Sequence, residues 1–209
     1  MAEDFHKPTQ YSGDKFDTYE GGDDPAQILR VARDTAHALL TRARDSADPA
    51  VIDRLVAYTD ANGIDALAEL WARSSPRSLP GALWRIYLLR LLIRQDAPGT
   101  SLLFQRGLEV LPTIDALVAG AAEPTGPEEI TELADRILRG LFRGDFAIAL
   151  DRAAAFSRIL AAGCTSLADD AEPINPERAT ELTTRADRLI QTAHEFTACA
   201  RLYRSGSLD

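Results

Sequence analysis

A carboxylate three residues ahead of a histidine could hold a metal ion, and Asp34 and His37 stand at that spacing. On a helix the two would share one face. Helical di-metal centres need two Glu-x-x-His pairs and two further Glu projecting inward, and this chain has no second pair. His194 and Cys199 are five apart, on different faces of a helix. Cys199 sits in an apolar helical pattern and reads as a small core residue. Cys164 directly follows Gly163 and is expected at a partly exposed helix end. Neither cysteine has a base and an orienting group at motif spacing, as a nucleophile requires. Gly21-Gly22 is not followed by Lys and Ser/Thr, so no phosphate-cradling loop is written here. These residues predict no catalytic group, no metal and no cofactor.

Binding chemistry is better represented. Residues 71–94 hold both tryptophans, Trp71 and Trp84, among Arg73, Arg77, Arg85, Arg90 and Arg94. Trp and Arg are the side chains that most often anchor interfaces. The competing reading is core packing for the indoles, with the arginines snorkelling to water. Residues 1–23 carry Phe5, Tyr11, Phe16 and Tyr19, four of the 14 aromatics in the chain. A tail that only solvates is poor in aromatics, so this one either folds back on its own domain or docks on another protein. The candidates for partner binding are therefore Phe5, Tyr11, Phe16, Tyr19, Trp71, Arg77, Trp84 and Arg85.

Two other patterns resemble sites. Residues 51–73 read as two helices around Gly63, but the would-be recognition helix begins with Asp65 and carries Glu69, which would face phosphates. Arg136, Arg139 and Arg143 make a basic stripe, yet Glu132 and Asp135 stand four residues ahead of the first two and would pair with them.

Composition narrows the classes further. The chain has 209 residues and a net charge of -9, which disfavours sequence-blind attraction to nucleic acid or anionic membranes. Six acidic residues against Lys7 and Lys15 give residues 1–23 a net charge of -4. Those are the only lysines; the other 21 basic residues are Arg, as a GC-rich coding sequence produces. A high-GC bacterial source is the expectation. No apolar run reaches the ~18 residues a membrane span needs. The N-terminus lacks the apolar core of a signal peptide. With only two cysteines, a reducing cytoplasm is expected.

Positioning elements are written by repeated punctuation. An Asp, Asn, Ser or Thr comes before Pro or Glu, then an apolar stripe of helical period, then Gly. Asp24-Pro25, Asp48-Pro49, Asp65, Leu79-Pro80, Thr100 or Ser101, Thr125-Gly126-Pro127, Asp145 and Asn175-Pro176 are the start signals. Gly63, Pro98-Gly99, Pro112, Gly140 with Gly144, and Gly163 are the stops, with residues 164–175 as a polar loop. Residues 83–93 leave almost no polar face, which predicts a central helix packed on most sides. No period-two strand is present. The fold expected is all-α: a single compact bundle of seven to nine helices over residues 24–209, with residues 1–23 as a disordered acidic-aromatic arm.

Three stretches carry a resemblance: Gly63-Ile-Asp-Ala-Leu-Ala-Glu-Leu-Trp-Ala, Ser78-Leu-Pro-Gly-Ala-Leu-Trp-Arg-Ile-Tyr-Leu-Leu-Arg90, and Gly144-Asp-Phe-Ala-Ile-Ala-Leu-Asp-Arg-Ala-Ala-Ala-Phe156. The chain resembles a group of uncharacterised actinobacterial all-helical proteins over most of residues 24–209. Some of these carry the label RNA polymerase beta subunit. The chain is far too short for that role and has no polymerase active-site motif, so the resemblance implies at most a transcription-associated partner. It supplies no functional residues. The function expected is a non-catalytic interaction or regulatory protein that binds another protein. The alternative is a helical sensor with a small-molecule pocket near Trp84 and Tyr87.

Overall fold

Helix starts in this chain are made by short polar side chains that accept the first free backbone N–H groups. The computed structural model describes residues 24–45, 71–111, 115–120, 125–143 and 145–209, with the isolated positions 50, 54 and 113. Among them are seven α-helices and no strand. They are α1 (Pro25–Asp45), α2 (Leu79–Gln95), α3 (Ala97–Val110), α4 (Asp115–Ala119), α5 (Pro127–Arg143), α6 (Phe146–Ala171) and α7 (Pro176–Arg204). The arm, the second and third expected helices and the helix-turn-helix candidate lie outside the described residues, apart from Trp71–Arg73.

Asp24 accepts from the Ala26 N–H at 3.0 Å. Ser78 caps α2, Asp145 caps α6 and Asn175 caps α7, each accepting from a first-turn N–H. Two boundaries differ from the sequence reading. Pro98-Gly99 does not end α2's segment; Asp96 caps α3 by accepting from Gly99 N–H at 2.9 Å, and Pro98 sits in the first turn. Proline is tolerated there because its missing N–H would have had no intrahelical partner. At the start of α5 the reaching carboxylate is that of Glu129, one residue beyond Glu128, and it accepts from the Gly126 N–H at 2.9 Å.

One apolar cluster joins side chains from all seven helices, with Trp71 and Leu208 added at its edge. Helix α6 runs through its middle. Each of its contacts with α3, α4, α5 and α7 is more extensive than any that α2 makes. Phe146, Leu150 and Phe156 are among the largest fully buried side chains.

Gly163 is not a helix stop, and residues 164–171 are not loop; they continue α6. Its role is close approach. A Cβ at Gly163 would lie 1.9 Å from the Leu103 carbonyl oxygen, and one at Gly107 would lie 2.0 Å from that of Ile159. The two glycines face each other where α3 crosses α6, and Phe104 stacks on Phe156 beside them with centroids 5.2 Å apart. Cys164, expected to be partly exposed, is fully buried at this crossing.

The expectation that residues 83–93 form the central helix is corrected by their orientation. Leu83, Ile86, Leu89 and Ile93 are buried, but Leu88, Leu91 and Leu92 are 39%, 38% and 39% exposed. Arg90 is the residue turned inward, 3% exposed, with its Nε donating to Asp135 Oδ1 at 2.6 Å. Arg94 lies 3.6 Å from the other oxygen of the same carboxylate. An enclosed arginine is tolerated where a carboxylate pairs with it, and Asp135 of α5 does so here. The helix therefore lies at the margin of the bundle, with an apolar strip facing outward.

Candidate functional site

Leu92, on the outward strip of α2, lines an open groove. Leu88, Leu91 and Leu92 recur at helical spacing, and Trp84 stands one turn earlier on the same side. Trp84 is half-buried and stacks on Tyr87, with ring centroids 6.2 Å apart and planes 14° from parallel. The opposite wall is the first half of α7. The cavity holds about 630 Å³ and is lined by Leu92, Thr180, Glu181, Thr184, Arg185, Arg188, Leu189 and Thr192. Toward the start of α2 the two helices are tied together by Arg85, whose Nε donates to Glu195 Oε2 at 2.5 Å. Gln191 donates to the other oxygen of Glu195 at 3.1 Å.

The α7 wall has a specific character. The hydroxyls of Thr180, Thr184 and Thr192 donate to carbonyls one turn back, at 2.8–2.9 Å. Those donors are satisfied within the helix, so the threonines offer the groove methyl groups and acceptor lone pairs. Glu181 is neutralised by Arg178, 3.0 Å away. Arg185 and Arg188 form no ion pair among the described residues. A chain of net charge -9 thus carries, beside the exposed Leu92, two guanidiniums with no ion pair among the described residues.

The residues singled out from sequence fall in several places. Trp71 is buried and belongs to the core, so it is not a surface anchor; its indole N–H has no hydrogen-bond partner among the described residues. The Arg85 guanidinium is engaged by Glu195 and Gly81. Arg77 is exposed. Trp84 is half-buried on the outward side of α2 and is not among the residues that line the groove. Phe5, Tyr11, Phe16 and Tyr19 lie outside the described residues. The residues that sequence reasoning missed are Leu88, Leu91, Leu92, Arg185 and Arg188. The one sequence signal for them is the absence of a polar face on α2, a pattern that a central helix shares.

The chemistry-bearing residues do not converge. Asp34, His37 and His194 are exposed on their helices. Among the described residues no three His, Cys, Asp or Glu side chains gather as metal ligands would. Burial pushes the Cys199 thiol up to about 11; Arg85 and Arg77 pull it down and Glu195 pushes it further up, with burial dominant. Burial also raises Cys164. Neither environment favours a thiolate nucleophile. The basic stripe on α5 is also partly engaged: Arg136 donates to the Gly120 carbonyl at 2.9 Å. Asp135 reaches across to α2. Among the described residues no helix is long and apolar enough to cross a membrane.

The chain matches no protein-family model, no curated protein and no solved structure.

Proposed function

We infer that this is a non-catalytic interaction or regulatory protein, and that it takes another protein at the groove between α2 and α7. The observation that carries the reading is the orientation of α2: Arg90 inside, Leu88, Leu91 and Leu92 outside. Leaving three leucines of one helix face in water forgoes burial of roughly 1 kcal/mol or more apiece, and a helix that hides an arginine instead keeps that face for another use. A contiguous exposed apolar strip rimmed by polar groups is the pattern of a protein-binding surface. The small-molecule alternative is less well supported. The groove's volume is in the usual range for such sites, but its hydroxyl donors are satisfied within α7, and Trp71, Ser74 and Thr100, whose buried polar atoms have no partner among the described residues, do not line it.

The test is capture of partners by the tagged full chain carrying Leu91→Asp with Leu92→Asp, beside a control with Ile174→Asp in the α6–α7 turn. Footprinting of the captured complex should protect residues 88–94 and 180–192, and the leucine variant should lose the partner while the control keeps it. An identical set of partners on both variants would refute the groove as the site.

A further inference from the structure

We propose that the partner presents an acidic amphipathic helix to the groove, with carboxylates one turn apart that engage Arg185 and Arg188 and apolar side chains that lie against Leu92. This rests on the reading of the groove as a protein-binding surface and names the chemistry of what it takes. On α7 the positions 181, 185, 188 and 192 follow at spacings of three or four, so they share a face, and that face lines the groove. Its one acidic residue, Glu181, is neutralised by Arg178 at 3.0 Å. Arg185 is half-buried and Arg188 exposed, and neither forms an ion pair among the described residues. Partial burial takes water from a guanidinium, and a carboxylate from outside restores the lost acceptors in a matching fork. Asp187 stands between the two arginines in sequence, but it points to another side of the helix and does not line the groove. The groove therefore holds two uncompensated positive charges on a chain of net charge -9. Charges beyond a Debye length of about 8 Å are largely screened at physiological ionic strength, so the acid elsewhere on the chain does not cancel the local attraction. Dimensions favour a helix. From Thr180 to Thr192 the α7 wall rises roughly 18 Å, room for about three turns of a second helix laid along it. Arg185 and Arg188 are roughly 4.5 Å apart along the axis, which suits carboxylates three or four residues apart on that helix. Nucleic acid is the poorer fit, because sequence-blind binding draws its affinity from many phosphate contacts and this wall offers two arginines.

The experiment uses the full chain and fluorescein-labelled synthetic helices of about 15 residues. The peptides share one stripe of leucines and differ only in the flanking positions, which are Glu, Gln or Lys. Affinity is read by fluorescence anisotropy and the site by hydrogen exchange. The Glu peptide should bind about ten-fold more tightly than the Gln peptide, the scale for two charge contacts, and should protect residues 180–192. The Lys peptide, drawn to the acidic remainder of the chain, should leave exchange there unchanged. Arg185→Gln with Arg188→Gln should abolish the preference for Glu, while Arg201→Gln near the far end of α7 keeps it. The comparison of peptides on the unaltered chain stands even if the double variant fails to fold. Equal affinity of the Glu and Gln peptides, protection at 180–192 by the Lys peptide, or no binding at millimolar peptide would overturn the proposal. So would displacement of the Glu peptide by a single-stranded oligonucleotide, which would reassign the arginines to phosphate. The two readings fail separately. Partner capture that depends on Leu91 and Leu92, with no preference for the Glu peptide, removes only the acidic helix. A preference for Glu that depends on the two arginines, with capture indifferent to those leucines, removes the groove as the site of the captured partner and leaves the arginine pair as an acid-binding surface.

Discussion

Arg90 is the side chain whose placement sets the outer surface of α2. Its guanidinium is enclosed, so removing it takes the closest cation away from the largely enclosed Asp135 and leaves the looser Arg94 contact at 3.6 Å. Arg90→Ala should cost about 3–5 kcal/mol in urea unfolding, and pairing it with Asp135→Ala should recover part of that loss, because an unpaired enclosed charge is worse than none. Cys199 gives a second residue-scale prediction. Its thiol is raised from 9.0 to about 11, chiefly by burial. A raised folded value means the native state holds the proton longer than the unfolded chain. The associated stability is complete below pH 9 and is lost as pH rises toward 11, an effect of roughly 2–3 kcal/mol. Replacing Cys199 by Ala should flatten the fall of stability across that alkaline window relative to the native chain; an unchanged slope would show that the thiol does not cause it. That Cys199 is a core residue was legible from its helical neighbours. That Arg90 turns inward was not, because its partner Asp135 stands 45 residues away and no local pattern links them.

At the scale of elements, the start signals were readable because each cap is a contact between near neighbours in sequence, as Ser78, Asp145 and Asn175 show. The stops were less so. A glycine after an apolar stripe ends a helix when it supplies a left-handed turn and continues one when another backbone lies against it. Gly163 is the second kind, and only the approach of Leu103 distinguishes the two. Gly163→Ala should therefore destabilise the protein by about 1–3 kcal/mol, since a methyl there meets backbone that cannot rotate away. Melting temperature with α-helical content monitored is the measurement; a neutral substitution would mean α3 and α6 can part without loss. On α2, Leu89→Ala should cost about 2–5 kcal/mol because Leu89 is buried, while Leu91→Ala should stay within about 0.5 kcal/mol. Apolar periodicity could not make that distinction in advance: with leucines on every side, the helix has no moment to orient it.

For the molecule as a whole, the all-α class was legible from the repeated cap-and-stripe pattern, whereas the groove was not, since it exists only between two helices more than 80 residues apart in sequence. The core described here draws its helices from residues after 24. Removing residues 1–23 should move the melting temperature by no more than about 2–4 °C, the shift that 1 kcal/mol produces at this chain length. A fall of many degrees would make that segment part of the fold. The enclosure of α6 by four other helices also has a kinetic meaning. The backbone amides of its buried middle, residues 153–161, meet solvent only when those neighbours separate, so their hydrogen exchange should proceed through global unfolding. Residues 88–95, enclosed on one side, should exchange through smaller openings. The wall of the groove can then adjust to whatever occupies it on a faster timescale than the core can respond, and an occupant would register as slowed exchange along α2 with no change in α6.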